Sequence, residues 1–227
     1  MDVDELKRLT GAAAAELVED GMRVGLGTGS TVRHTVDRLA DLDLDIVCVP
    51  TSVETDRLAR RLGLHITDPD AVPDLHIAID GADEVDTQLN LIKGGGGAHF
   101  RERLVAEMAE RFVVVVDESK LVDRLGDFGV PIEVMAFGHD VVARHLKTLG
   151  AEEVYVRPET ADSGNLILDA EFGLLDDPLA LADRMDSITG LVAHGIFPGS
   201  MVSEVLVARP DGTIDTITHA RDGNGAG

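Results

Sequence analysis

The sequence predicts an α/β protein: a mostly parallel sheet with helices on both faces, joined to a smaller ferredoxin-like α+β unit. Three observations carry this. Short, predominantly apolar strands at 45–49, 75–79 and 112–116, the last apolar throughout, alternate with amphipathic helices, as strands buried on both faces do. Glycine-rich segments at 25–29 and 94–97 each lead into a helix. Past Pro131 the order changes to β-α-β-β-α-β, the split ferredoxin-like arrangement. A length of 227 residues, 44% of them apolar, suits a main domain with a small companion. Aromatics make up 3%, so the core must be aliphatic.

Residues 3–19 read as a helix, with Val3, Leu6, Leu9, Ala13 and Leu17 at helical spacing and Gly21 ending it. A strand at 23–27 runs into Thr28-Gly29-Ser30-Thr31, and 32–40 resume the helical period. Strands are expected at 45–49 and 64–67, on either side of a helix at 53–62. The strand at 75–79 is stopped by Asp80-Gly81-Ala82-Asp83, and a helix at 99–110 precedes the strand at 112–116. In the second unit, strands at 131–135, 153–157, 165–171 and 191–197 go with helices at 139–149, closed by Gly150, and 178–188. Residues 202–208 and 213–217, joined at Pro210-Asp211-Gly212, form a hairpin expected to return to the main sheet. The expected division is therefore 1–129 with 198–220 against 130–197, and the Gly/Asn-rich residues 221–227 read as a disordered tail.

Twenty basic residues stand against 42 acidic ones, a net charge of −22. That excludes nucleic acid as a partner, because a phosphate backbone needs a basic footprint, and it argues against anionic membranes. Lysine is confined to Lys7, Lys93, Lys120 and Lys147. Acidity with so little lysine points to a cytoplasm of very high salt, where a Debye length of about 3 Å at 1 M screens self-repulsion. Cys48 stands alone in an apolar run, which fits a buried strand thiol in a reducing cytosol. Neither a signal peptide nor an apolar run of membrane-spanning length is present, so a soluble cytoplasmic protein is expected.

Gly25-Leu26-Gly27-Thr28-Gly29-Ser30-Thr31 lies between a strand and a helix. Its glycines let backbone approach a ligand, and consecutive amides at a helix start form an anion nest. A dinucleotide fingerprint would need Gly where Ser30 stands and an acid after the second strand, where Val49-Pro50-Thr51-Ser52 is found. A phosphate monoester is the better reading; a tight turn with a hydroxyl helix cap is the plainer one. Asp80 and Asp83 flank Gly81-Ala82 after a buried strand, and they suit acid/base work, a divalent metal, or turn chemistry alone. Lys93-Gly94-Gly95-Gly96-Gly97 is costlier to explain as mere turn, since four glycines in a row carry a large entropic cost. They suit a loop whose amides surround a small oxygen-rich ligand. Glu102 follows in the first turns of the next helix, and Lys120, just past the strand at 112–116, is placed to reach the same rim. The histidines show no metal spacing; His99, just past the glycines, is the one to watch.

These three motifs, with Arg101-Glu102 and Ser119-Lys120, resemble the type A ribose-5-phosphate isomerase family over nearly the whole chain. The resemblance implies a Rossmann-like main domain, a smaller α+β domain, a homodimer or homotetramer, and neither metal nor cofactor. It places sugar-phosphate contacts on Thr28, Gly29, Ser30, Thr31, Asp80, Gly81, Ala82, Asp83, Lys93, Gly94, Gly95, Gly96 and Lys120, with Lys7 a further contact. It places the general base on Glu102. Aldose–ketose interconversion moves one proton between C2 and C1 through an enediolate, which needs a carboxylate over the carbons and donors for the oxyanion. Glu102 then shuttles the proton, Lys93 and glycine amides hold the oxyanion, and Asp80 and Asp83 move hydroxyl protons and open the ring. His99-Phe100 depart from the family's usual Leu or small residues. A sugar-phosphate deaminase, which would need His99, a coenzyme A transferase using a nucleophilic Glu, and a sugar-phosphate-sensing regulatory domain are the rival readings.

Overall fold

The computed structural model describes residues 1–219, so the tail expected to be disordered lies outside the described residues. In chain order the first strands are β1 (Arg23–Leu26), β2 (Val47–Pro50), β3 (His65–Ile66), β4 (Ile77–Asp80), β5 (Glu84–Val85), β6 (Leu91–Ile92) and β7 (Phe112–Asp117). Four helices go with them: α1 (Val3–Ala15), α2 (Ser30–Asp41), α3 (Val53–Arg61) and α4 (His99–Met108). Next come β8 (Val130–Val134), α5 (His139–Leu149), β9 (Glu153–Val156), β10 (Leu166–Glu171), α6 (Pro178–Asp186) and β11 (Leu191–His194). The last strands are β12 (Ile196–Phe197), β13 (Glu204–Ala208) and β14 (Ile214–Ile217).

The main sheet runs β3-β2-β1-β4-β7-β13-β14 and is parallel except for β14, which closes the expected hairpin. Alternate residues feed two cores. Val24, Leu26, Ile77, Ile79, Val113 and Val115 pack with Ala14, Val32 and Val36 of α1 and α2. Ala78, Val114, Val116, Val205 and Val207 pack with Val105 and Ala106 of α4. Burial on both faces is why these strands are apolar except at their ends. The second sheet runs β11-β8-β10-β9, antiparallel throughout, with α5 and α6 packed on one face. Numbered within that unit the order is 4-1-3-2, the ferredoxin-like topology expected from the element order.

Two expectations fail locally. The helix expected to reach residue 19 ends at Ala15, because Leu17 and Val18 donate to Ala14 and Ala15 in a tightened last turn while their side chains still pack into the core. The strand expected at 191–197 is two strands. At Gly195 the chain changes partner: its amide donates to Pro131 O, its carbonyl accepts from Lys93 N, both at 2.8 Å, and β12 pairs with β6. The resulting three-stranded sheet, β12-β6-β5, has no counterpart among the expected elements.

Candidate active site

β1 leads outward to β2 on one side and β4 lies on the other, so the strand order switches direction between β1 and β4. In open α/β sheets that point, at the carboxyl ends of the strands, is where a crevice forms. The loops leaving β1, β4 and β7 meet there. Gly27 N donates to Ile79 O at 2.9 Å, and the Asp80 carboxylate accepts from Thr28 N at 3.0 Å and from Gly81 N at 2.7 Å. A Cβ on Gly27 would collide with that carboxylate, so the first loop must have glycine here. No side chain caps the start of α2, which leaves its first amides available to an anion.

Lys93 follows β6, and its backbone is fixed by the three-stranded sheet through the bond to Gly195. Its side chain is 2% exposed, and its three donors are all placed. Nζ lies 3.0 Å from Asp80 Oδ2 and 3.3 Å from Glu102 Oε1, and donates to Gly81 O. The ring of Phe197, from β12, sits 5.6 Å beneath it. A guanidinium could not take this position without displacing one of those partners. Burial works against the ammonium, but Asp80 and Glu102 outweigh it and hold the Lys93 pKa above its usual value.

One ammonium thus serves two buried carboxylates, and they are not equally supplied. Asp80 has two amide donors besides Lys93. Glu102 has only Lys93 on Oε1, and its Oε2 is buried with no partner. Burial therefore pushes the Glu102 carboxyl up to about 8, against the attraction of Lys93 and with the repulsion of Asp80. A carboxyl that loses its proton near pH 8, beside a cleft, is tuned as a base for neutral to alkaline conditions.

The glycine loop is shaped from both sides. Gly94 has φ 98°, and a Cβ there would stand 2.8 Å from His99 Cβ. Gly95 N donates to Asp83 Oδ2 at 2.9 Å. From the second sheet unit, Arg157 Nη1 donates to Gly94 O at 3.3 Å and to Gly95 O at 3.0 Å, while Asp169 holds the same guanidinium through Nε at 2.8 Å. Because N–H and C=O of one trans peptide point in opposite directions, carbonyls drawn to Arg157 turn the following amide, that of Gly96, to the other side.

One cleft of about 170 Å³ gathers nearly all the expected residues. Thr28, Gly29, Ser30, Thr31 and Lys7 line one end; Gly81, Ala82, Asp83, Lys93, Gly94, Gly95, Gly96, Glu102 and Lys120 line the rest. Asp80 is the exception: it lies behind the wall, 3% exposed, its carboxylate engaged with Lys93 and the loop amides. Val115, Val116 and Asp117 also line the cleft and were not foreseen; the apolar pattern marked the two valines only as strand, and Asp117 only as the residue that ends it. Arg157 too gave no signal, since sixty-odd residues and a different sheet separate it from the loop it grips. His99 is fully buried under the glycine loop, does not line the cleft, and is held neutral by burial and then by Arg157, its pKa pushed down to about 4. Among the described residues no group of three or more His, Cys, Asp or Glu is placed to hold a metal ion.

A family model described as ribose 5-phosphate isomerase A (phosphoriboisomerase A) matches residues 47–212. A ribose-5-phosphate isomerase A of Rhodopseudomonas palustris is 47% identical over 97% of this chain and 100% of its own length. Among solved structures, ribose 5-phosphate isomerase A of Methanocaldococcus jannaschii is 40% identical with a TM-score of 0.89, covering 96% of this chain and 100% of its own. The Neisseria gonorrhoeae enzyme is 35% identical with a TM-score of 0.93, covering 97% and 99%.

Proposed function

This chain belongs to the ribose 5-phosphate isomerase A family, and on that premise we propose that it interconverts D-ribose 5-phosphate and D-ribulose 5-phosphate through an enediolate, with Glu102 as the base. The observation that carries the reading is the Lys93 ammonium, buried between Asp80 and Glu102 at the edge of a cleft whose other end is an uncapped helix start. The phosphate sits on the amides of residues 29–31 and the hydroxyls of this loop, with Lys7 and Lys120 beside them. This places C1 and C2 near Glu102. Its carboxylate takes the proton from C2 and returns it to C1. The Gly96 amide donates to the oxygen on which charge develops, contributing about 2.7–4 kcal/mol as a preorganised donor, while Lys93, whose own donors are engaged by Asp80, Glu102 and Gly81 O, stabilises that oxygen by its positive charge. Asp83, which lines the cleft, moves the hydroxyl protons and opens the furanose ring. Asp80, behind the wall, positions Lys93 and the first two loops.

On the same reading residues 1–129 and 198–220 form the catalytic domain, residues 130–197 the small one, and the enzyme works in the cytoplasm as a homodimer or homotetramer at high salt. The deaminase alternative loses its motivation, because His99 does not reach the cleft.

The first test is conversion of ribose 5-phosphate in molar KCl with EDTA present. Rapid interconversion, undiminished by the chelator, is the expected result; a folded protein without it would sink the reading. The pH profile gives a second expectation. Glu102 acts as a base only when ionised, so kcat/KM should rise about tenfold per pH unit below 8 and level off above it. Stability runs the other way. A carboxyl whose pKa is raised on folding binds more protons folded than unfolded, so this contribution is complete below about 4.5 and is lost as pH climbs through about 8. An activity limb near the ordinary carboxylate range would contradict the assignment. A third expectation concerns Arg157→Met. Hydrogen bonds to charged groups contribute about 1.5–3 kcal/mol, so kcat should fall about tenfold or more, with KM nearly unchanged if the guanidinium serves to aim the oxyanion amide. A rise in KM alone would assign Arg157 to substrate binding instead.

A further inference from the structure

A second cleft, of about 670 Å³, opens beside the first and shares Gly29 and Ser30 with it. Arg33 of α2 and Arg57 and Arg61 of α3 line it, all three exposed. Among the described residues none of the three has an ion pair or a side-chain hydrogen bond. Of the other described arginines only Arg144 and Arg184 are likewise without a partner. With 42 acids against 20 bases, an arginine finds a carboxylate easily: Arg60, adjacent to Arg61, bonds Asp56 at 3.0 Å, and Arg38 bonds Glu16 at 2.7 Å. Arg57 and Arg61 are also four apart on one helix face, where like charges repel unless an anion lies between them. Two acids share the cleft, Glu54 and Asp162, and the Asp162 carboxylate is engaged by Val53 N at 2.7 Å at the start of α3.

We propose that this arginine cleft is a second anion-binding site, which captures a phosphate dianion at the mouth of the catalytic cleft. The proposal rests on the reading that residues 28–31 hold the substrate's phosphate. At molar salt the field of the −22 charge is screened within about 3 Å, so capture there falls to close guanidinium contacts; at low ionic strength the locally positive mouth also offsets the chain's long-range repulsion of a sugar phosphate. Guanidinium forks match phosphate oxygens in geometry as well as charge. Gly29 and Ser30, common to both clefts, give the dianion a continuous path from the arginines to the helix start. The dianion is either the substrate's own phosphate on its way in or a free phosphate anion held alongside.

The test is the triple variant Arg33→Gln/Arg57→Gln/Arg61→Gln, with the triple Arg→Lys variant as a charge-conserving companion. Steady-state kinetics are run at the lowest ionic strength at which the fold persists, and inorganic pyrophosphate binding is measured by calorimetry. The expected result is kcat/KM lowered by about tenfold, kcat unchanged, a flattened salt dependence and weakened pyrophosphate binding, largely restored by lysine. Weakened pyrophosphate binding with kcat/KM unchanged would support the site and assign it to a free anion. Unchanged pyrophosphate binding overturns the proposal, whether or not kcat/KM falls, since a long-range field alone would then account for any rate effect. Failure of the native chain to isomerise ribose 5-phosphate would instead refute the reading of residues 28–31, and the calorimetry would still decide whether the arginines bind an anion.

Discussion

Glu102→Gln is expected to lower kcat by about 10³-fold or more while leaving ribose 5-phosphate bound with nearly native affinity. The substitution keeps the shape of the side chain and its contact with Lys93, and it removes the one group over the sugar carbons that can accept a proton. Positioned proton transfer contributes about 10²–10⁴-fold, and no second carboxylate can replace it here. Asp80 is behind the wall and engaged, and Asp83 is tied to the Gly95 amide. Stability should rise slightly, because the variant buries a neutral amide in place of a carboxyl that burial had already pushed up to about 8. It should also lose the fall in stability between pH 4.5 and 8, with the sign given by linkage. Ligand titration together with single-turnover kinetics separates the two roles. Loss of binding with turnover retained would make Glu102 structural.

Much of this arrangement was legible in the sequence, for identifiable reasons. Strands buried on both faces are apolar except where they end at the site, so the parallel sheet announced itself, and loops that must admit a ligand to backbone amides announced themselves as glycine. The three-stranded sheet did not. Strands of two residues, such as Glu84–Val85 and Leu91–Ile92, have no period to read, and the change of partner at Gly195 depends on the approach of Lys93, a contact across a hundred residues. The site's membership was legible and its division of labour was not. Asp80 and Asp83 have the same chemistry and neighbouring positions; which one faces the cleft is decided by the amides of Thr28 and Gly81 folding back onto the first. Arg157 acts on the glycine loop only because two separate sheets meet there.

Lys93→Met tests the other half of the site and should have the largest effect on the fold. Methionine fills nearly the same space over Phe197 but leaves Asp80 and Glu102 buried together with no cation between them. Breaking a buried pair by removing one partner costs about 3–5 kcal/mol. At about 2–4 °C per kcal/mol for a chain of this size, the melting temperature should fall by about 6–20 °C. Turnover should fall by about 10²–10³-fold through loss of the positive charge beside the developing oxyanion, and further because Glu102, without Lys93, is driven still higher in pKa and is ionised less often. A double variant separates these effects. If the instability comes from surplus buried charge, adding Glu102→Gln to Lys93→Met should restore part of the lost stability at alkaline pH, where Glu102 would otherwise ionise beside Asp80, with a coupling of about 0.5–3 kcal/mol. It should restore none of the activity. Strictly additive stabilities would mean that Lys93 contributes by packing and by its bond to Gly81 O, and that the pairing with Glu102 is incidental to the fold.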